Sequence, residues 1–154
     1  LRLLRMKLKG RYQYVNGGSY VGIYDQLTNM GQIALDPPSV FGWDWEQSWI
    51  SSATLLARYG FARDLGAASG VGGTALRSEL LFDLSMTVPG DIVDAVTDLL
   101  GVKDYLSAGE RVILMNYLTN NGAVTPDLND YDYRVAKLHG LIALVMQSPA
   151  YQLH

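Results

Sequence analysis

The segment Asp36-Pro37-Pro38-Ser39-Val40-Phe41-Gly42-Trp43-Asp44-Trp45-Glu46-Gln47-Ser48-Trp49 constrains this chain more than any other. Two adjacent prolines fix φ and remove two backbone donors, and each pushes the residue before it into extended backbone, so no simple helix runs through them. Yet the only three Trp of the protein, at 43, 45 and 49, crowd into seven residues here. Ordinary turns are small and polar, so a turn this aromatic is packed onto a neighbour or faces a partner. The segment runs straight into Ile50–Asp64. There Trp49, Ala53, Leu56, Gly60 and Arg63 mark one helical row, with Ile50, Thr54, Ala57 and Phe61 beside it. A swath that wide predicts a central, heavily buried helix from Ser48 to about Asp64, with the Trp/Pro-rich loop packed on it.

The remaining punctuation is helical. Residues 1–9 read as the end of a helix closed by Gly10, and residues 10–18 as a loop rich in Tyr and Gly. Ser19 can cap a helix reaching about Met30, with Tyr20, Ile23, Tyr24 and Leu27 on one face and Gly31 at its end. Pro89-Gly90-Asp91 starts a helix through Leu100, stopped by Gly101, with Ile92, Val93, Val96, Leu99 and Leu100 inward. Ser107 and Glu110 form a capping box for a helix with Val112, Met115 and Leu118 inward, stopped by Asn121-Gly122. Thr125-Pro126-Asp127 begins the last helix, with Val135, Leu138, Leu141, Ile142 and Val145 inward, broken at Ser148-Pro149. No pair of alternating apolar runs flanks an Asn-Gly or Asp-Gly turn, so no hairpin is expected. The fold class is all-α, an irregular multi-helix bundle of about six helices. The Gly-rich stretch 66–73 reads as a linker that divides the chain into two halves, 1–65 and 74–154.

Length and composition narrow the chemistry. A chain of 154 residues with 49% hydrophobic content can bury a core as one unit. With no Cys, disulfides, thiol catalysis, iron–sulfur clusters and Cys-ligated zinc are excluded. Of the 12 basic residues, Arg2, Arg5, Lys7, Lys9 and Arg11 fall in the first 11 positions, and all 15 acids lie beyond them. Nucleic-acid binding needs a basic face spread over the fold, and this body is acidic. The basic start is read as the solvated side of a helix whose apolar side is Leu1, Leu4 and Leu8; docking to an anionic surface is the rival. No apolar run reaches the length of a membrane span, and no signal-peptide layout is visible. The chain opens on Leu1 in mid-pattern, which suggests a piece of a longer protein, with an apolar patch or self-association expected near Leu1–Leu8.

Most motifs dissolve on inspection. Gly17-Gly18-Ser19-Tyr20-Val21-Gly22 misses the nucleophile-elbow spacing by one residue. Ser69-Gly70-Val71-Gly72-Gly73 lacks the Lys and the preceding strand of a phosphate loop. Asp127-Leu128-Asn129-Asp130-Tyr131-Asp132 puts Tyr131 and Asp132 where a calcium loop needs an oxygen ligand and a glycine. With only His139 and His154 there is no zinc set, and His139, beside Leu138 and Leu141, reads as a core histidine. No metal and no cofactor is therefore expected. The remaining candidate is the ligand-binding set Trp43, Asp44, Trp45, Glu46 and Trp49. Aromatic faces beside carboxylates are what sugar-handling sites use. The plainer alternative is that the Trp rings wedge the loop against the helix while the acids cap it. Pro37, Pro38, Gly42 and Arg58 are structural in this reading. Arg58, alone in an apolar helix, is expected to reach a carboxylate or the carbonyls of the Pro37–Gly42 loop.

Two stretches carry a resemblance. Pro37-Pro38-x-Val40-x-Gly42-Trp43, then Trp49, then Ser52-Ala53-Thr54-Leu55-Leu56-Ala57-Arg58 and Phe61-Ala62, resemble the hallmark segment of a bacterial family known only as domain of unknown function 1800. The closing Leu144–Leu153 stretch, with Ser148-Pro149-Ala150-Tyr151-Gln152, is similar to that family's final motif, although Ala150 stands where an acid is common. Asp44-Trp45-Glu46 replaces the usual Pro- or Gly-rich turn, which suggests a subgroup. The resemblance implies the mostly helical C-terminal portion of a larger protein and carries over no catalytic residue. It also implies export to the periplasm or beyond, with the missing N-terminal portion and the product of a neighbouring gene as partners. The function expected is a packing or interaction portion; the alternative is part of a carbohydrate-handling site built on the Trp43–Trp49 loop.

Overall fold

Helix α6 (His139–Gln147) owes its place to its composition: Leu141, Ile142, Ala143, Val145 and Met146 leave it almost no polar side. Such a helix has to be covered all round. In the computed structural model, which describes residues 14–15, 18–19, 23–31, 40, 51–67 and 76–153, it is enclosed by α2 (Ser52–Gly66), α3 (Pro89–Leu99) and α4 (Ala108–Thr119). The core fills with Leu65, Ile92, Val93, Val96, Leu118, Leu128, Leu138, Leu141, Ile142 and Val145, all fully buried. Each such side chain contributes about 1.5–3 kcal/mol of transfer free energy. The protein is all-α, and a short helix α1 (Ile23–Asn29) precedes these elements.

The helix boundaries follow local chemistry. Ser51 caps α2 and Ser107 caps α4, each in a reciprocal box: the Ser107 hydroxyl accepts from Glu110 N at 3.2 Å, and Ser107 N donates to Glu110 Oε2 at 2.9 Å. Helix α3 has no side-chain cap and instead starts on Pro89, whose missing N–H is no loss in the first turn. It ends in a Schellman turn: Gly101 takes a φ of +73°, Gly101 N donates to Asp98 O, and Val102 N to Thr97 O at 2.9 Å. Helix α4 ends where Asn120, Asn121 and Gly122 all take positive φ. Gly31, at φ +69°, ends α1 as its sequence suggests.

The last helix starts later than Thr125-Pro126-Asp127 predicts. Asp127 accepts from Asn129 N and Asp130 from Asp132 N, so this run is spent on turns, and Asp130 caps α5 (Tyr131–Tyr133). The chain then passes without a break through a π-helical turn (Arg134–Leu138), in which His139 N reaches back five residues to Arg134 O, into α6. Ser148 breaks the helix and caps α7 (Pro149–Gln152), with Pro149 in its first turn.

Four further expectations need correcting. Ser19 caps no helix: it lies in β2 (Gly18–Ser19), which pairs antiparallel with β1 (Tyr14–Val15) in the register Tyr14↔Ser19 and Val15↔Gly18. A hairpin therefore exists, and the two residues between the paired ones are Asn16-Gly17, the dipeptide two-residue hairpin loops favour. The heavily buried central helix is α6 and not α2, where only Ala62 and Leu65 are buried and Leu56 is 69% exposed. Helix α2 turns Ala62, Leu65 and Gly66 inward, so the Ala53–Leu56–Gly60 row points elsewhere. On α4, Val112 is exposed, and Leu114 and Leu118 are buried. The expected helix over residues 1–9 and its apolar patch lie outside the described residues, as do residues 68–75 of the Gly-rich stretch. Helix α2 continues through Gly66 and shares one core with α6.

Two close approaches are possible only because glycine has no side chain. A Cβ on Gly66 would stand 2.8 Å from His139 O and 3.1 Å from the Ala143 methyl, and one on Gly140 would overlap the Tyr117 hydroxyl. That hydroxyl donates to Ala136 O at 2.9 Å, within the π turn, while Lys137 Nζ stands 4.8 Å from the Tyr117 ring centre and donates to Tyr117 O. We expect Gly66→Ala and Gly140→Ala each to cost about 1–3 kcal/mol by overpacking. Gly60→Ala, with nothing among the described residues within 4 Å of its Cβ, should gain about 0.5–1 kcal/mol. Urea unfolding of the three variants checks both signs.

Candidate functional site

Helices α2 and α6–α7 run antiparallel, since Gly66 meets His139, Tyr59 meets Gln147 and Arg58 meets Gln152. The middle of this seam is apolar, through Ala62, Leu65 and Ala143. Its two ends are polar, and they hold the only side-chain nitrogens among the described residues that are sealed from solvent without a hydrogen bond, Arg58 Nε and His139 Nδ1. Buried polar atoms are nearly always bonded, so both ends need explaining.

At one end, Ser78 and His139 face each other with Oγ and Nε2 2.9 Å apart. Ser78 sits in a 3₁₀ turn (Ser78–Leu80), and His139 is the first residue of α6, rotated into place by the π turn before it. Burial depresses the His139 pKa below its ordinary 6.5; the Arg134 charge depresses it further, and Glu79 partly opposes both. A neutral imidazole beside a serine is the first half of a nucleophile and base. The other half is missing, because no group among the described residues orients Nδ1, and Ser78 is only 1% exposed. The pair closes the core and offers no substrate a path to the hydroxyl. His139 is the core histidine its flanking leucines suggest.

At the other end, Arg58 Nη1 donates to Gln152 Oε1 at 3.4 Å. The amide nitrogens of this region are already committed: Gln152 Nε2 donates to Met146 O at 2.6 Å and Gln147 Nε2 to Tyr59 O at 3.2 Å. Tyr151 lies alongside, with its pKa raised by burial against the opposing Arg58 charge. Arg58 was expected to find a carboxylate or the Pro37–Gly42 carbonyls. Among the described residues it bonds a neutral amide oxygen and belongs to no ion pair, while the Pro37–Gly42 segment, except for Val40, lies outside them. Trp43, Asp44, Trp45, Glu46, Trp49, Pro37, Pro38 and Gly42 lie outside the described residues.

The structure thus joins the two stretches that looked most distinctive in sequence, the Thr54–Arg58 run and the closing Ser148–Gln152 run, at one junction. Gln147 and Tyr151, both within the closing Leu144–Leu153 stretch, belong to it as well, although no spacing in the sequence pairs that stretch with Arg58. Arg58 and Gln152 stand 94 positions apart in sequence. Elsewhere, Arg111 pairs with Asp94 and holds its carboxyl below the usual range, tying α4 to α3. Among the described residues no cluster of three or more His, Asp or Glu is placed to hold a metal ion.

The comparison with known families agrees with the resemblance carried by these two segments. The sequence profile of the protein family of unknown function DUF1800 matches residues 2–153, nearly the whole chain. The chain belongs to that family. No curated protein and no solved structure matches it significantly.

The burial of His139 makes stability pH-dependent in a defined direction. Because the folded pKa of His139 is depressed, the contribution from keeping it neutral is fully present above its ordinary 6.5 and is lost as pH falls below that value toward the folded pKa. The carboxylates held low by hydrogen bonds, Asp94 and Glu110 among them, titrate in a lower window. Urea melts at pH 7.5 and 5.5 should show the loss, and His139→Gln should flatten it. Ser78→Ala, which leaves the second ring nitrogen unpaired, should cost about 1–3 kcal/mol at pH 7.5.

Proposed function

We propose that this chain is a helical packing and interaction portion of a larger, exported bacterial protein. The observation that carries this reading is the outer face of α4. Gly109, Val112, Ile113 and Asn116 follow one another at helical spacing, all of them are exposed, and none is charged. Val112 is 49% and Ile113 65% exposed, while the opposite face of the same helix buries Leu114 and Leu118. A helix apolar on both faces is usually covered on both, and adjacent exposed β-branched residues suit a partner surface. Leu56 on α2 adds a second exposed apolar position. The partner we favour is the preceding part of the same protein, and a neighbouring gene's product is the next candidate. Export rests on the family resemblance. Among the described residues no helix is long and apolar enough to cross a membrane.

The experiment is to express the preceding part of the protein separately and measure its binding to this chain and to a Val112→Glu/Ile113→Glu variant. The isolated variant should melt within about 0.5 kcal/mol of the parent, as surface substitutions do. Its affinity for the preceding part should fall by at least about tenfold. Unchanged affinity, or a collapse of the isolated variant's stability on the scale of a core substitution, would refute the assignment.

A further inference from the structure

Helix α4 ends in a chemically reactive dipeptide. Asn120 and Asn121 take left-handed backbone there, at φ +51° and +56°, and Gly122 follows at φ +86°. Asn and Gly are the residues that visit this region readily, so the turn accounts for the choice of residues. A reaction comes with that choice. In an Asn-Gly pair the glycine nitrogen attacks the asparagine side-chain carbonyl carbon, since no Cβ on the glycine shields it. A bond forms between Gly122 N and Asn121 Cγ, the nitrogen gives up its proton, the side-chain amide leaves as ammonia, and a cyclic imide remains. Water then opens the ring at either carbonyl. The product is Asp, or isoaspartate with the main chain rerouted through the side chain.

The surroundings of Gly122 both permit this reaction and restrain it. Asn121 and Gly122 are exposed, and a Cβ on Gly122 would meet nothing among the described residues within 4 Å, so nitrogen and imide are open to water. The other asparagines of the described residues, Asn29, Asn116, Asn120 and Asn129, precede Met30, Tyr117, Asn121 and Asp130, whose side chains crowd the same attack. Against this, Gly122 N donates to Thr119 Oγ1 at 3.0 Å, and that hydroxyl donates to Met115 O at 3.0 Å. An imide nitrogen carries no hydrogen, so the bond to Thr119 has to break before the ring can close. With its own proton committed to Met115 O, the hydroxyl has none to offer the charge that develops on Asn121. Bonds on either side, from Asn121 N to Asn116 O and from Val124 N to Thr119 O, both 2.8 Å, hold the turn in place.

We propose that Asn121-Gly122 is a site of spontaneous deamidation whose rate the Thr119 hydroxyl holds down. The product sets a carboxylate at the C-terminal end of α4, where the helix dipole disfavours it, and the isoaspartate form lengthens the backbone inside the turn that closes the helix. The site involves neither Val112 nor Ile113, so it stands if the partner assignment fails.

The test incubates the full chain at pH 7.5 with and without denaturing urea, alongside Thr119→Val and Thr119→Ser. Conversion at each Asn is followed by mass spectrometry of the tryptic peptide Val112–Arg134, which excludes the other Asn-Gly pair of the sequence, Asn16-Gly17. In the folded parent Asn121 should convert before Asn116, Asn120 and Asn129, and more slowly than in urea. Thr119→Val should speed folded-state conversion at Asn121 by about two- to tenfold, the rate equivalent of one net hydrogen bond. Thr119→Ser should match the parent, and all three chains should agree in urea. The proposal is overturned if Asn121 is not the first to convert in the folded parent, or if it converts there as fast as in urea. It is equally overturned if Thr119→Val is no faster than the parent or than Thr119→Ser, or if its acceleration extends to Asn116 and Asn129, which would report general loosening.

Discussion

The burial of α6 is the constraint on which the rest of this structure depends. Once a nine-residue helix has Leu141, Ile142, Ala143, Val145 and Met146 to hide, it needs cover from several directions at once. Helices α2, α3 and α4 provide it, and the way they approach is decided by small residues. Gly66 lets α2 come against the backbone of α6, and Gly140 makes room for the Tyr117 hydroxyl of α4. The polar groups then have only the ends of these seams left to them. That is why Ser78 with His139, and Arg58 with Gln152, occupy opposite ends of one contact.

Helix existence was legible wherever caps and breakers agreed with the apolar spacing. The Ser107–Glu110 box, Pro89, Gly101 and the Ser148-Pro149 break all stand where the residues place them. Which side of a helix faces inward was less legible, and the failures have a common cause. On α2 and α4 apolar residues occur on more than one side, so periodicity alone offers several equivalent stripes. The tertiary contacts choose Ala62 and Leu65 over Leu56, and Leu114 over Val112. The missed hairpin has a different origin. With strands of two residues there is no apolar alternation to detect on either side of Asn16-Gly17.

The site was legible in parts but not as a whole. Arg58 stood out because a lone charge in an apolar run demands a partner. The partner's identity could not be read, since Gln152 lies at the far end of the chain and an amide carries no chemical signature of its own. His139 was recognisable as a core residue from its leucine neighbours, whereas Ser78 was indistinguishable from other serines until the fold brought it to the imidazole. Long-range pairs of this kind are set by topology, and topology was the level that the local pattern left open.

The π turn at Arg134–Leu138 governs how this part of the chain can vary in length. One residue beyond the α-helical count shifts the phase of everything after it by about 100° relative to everything before it. Tyr133 and Leu141 are both buried across that joint, where the extra residue brings positions eight apart to within about 20° of one line in place of about 80°. Adding or deleting a residue here would therefore act as a rotation of one segment against the other. Such a change would turn either the Arg134 side or the His139 side away from its contacts while leaving the helix itself intact. Exposed connections such as 120–125 face no such condition, because there a length change displaces the chain without re-aiming a buried face.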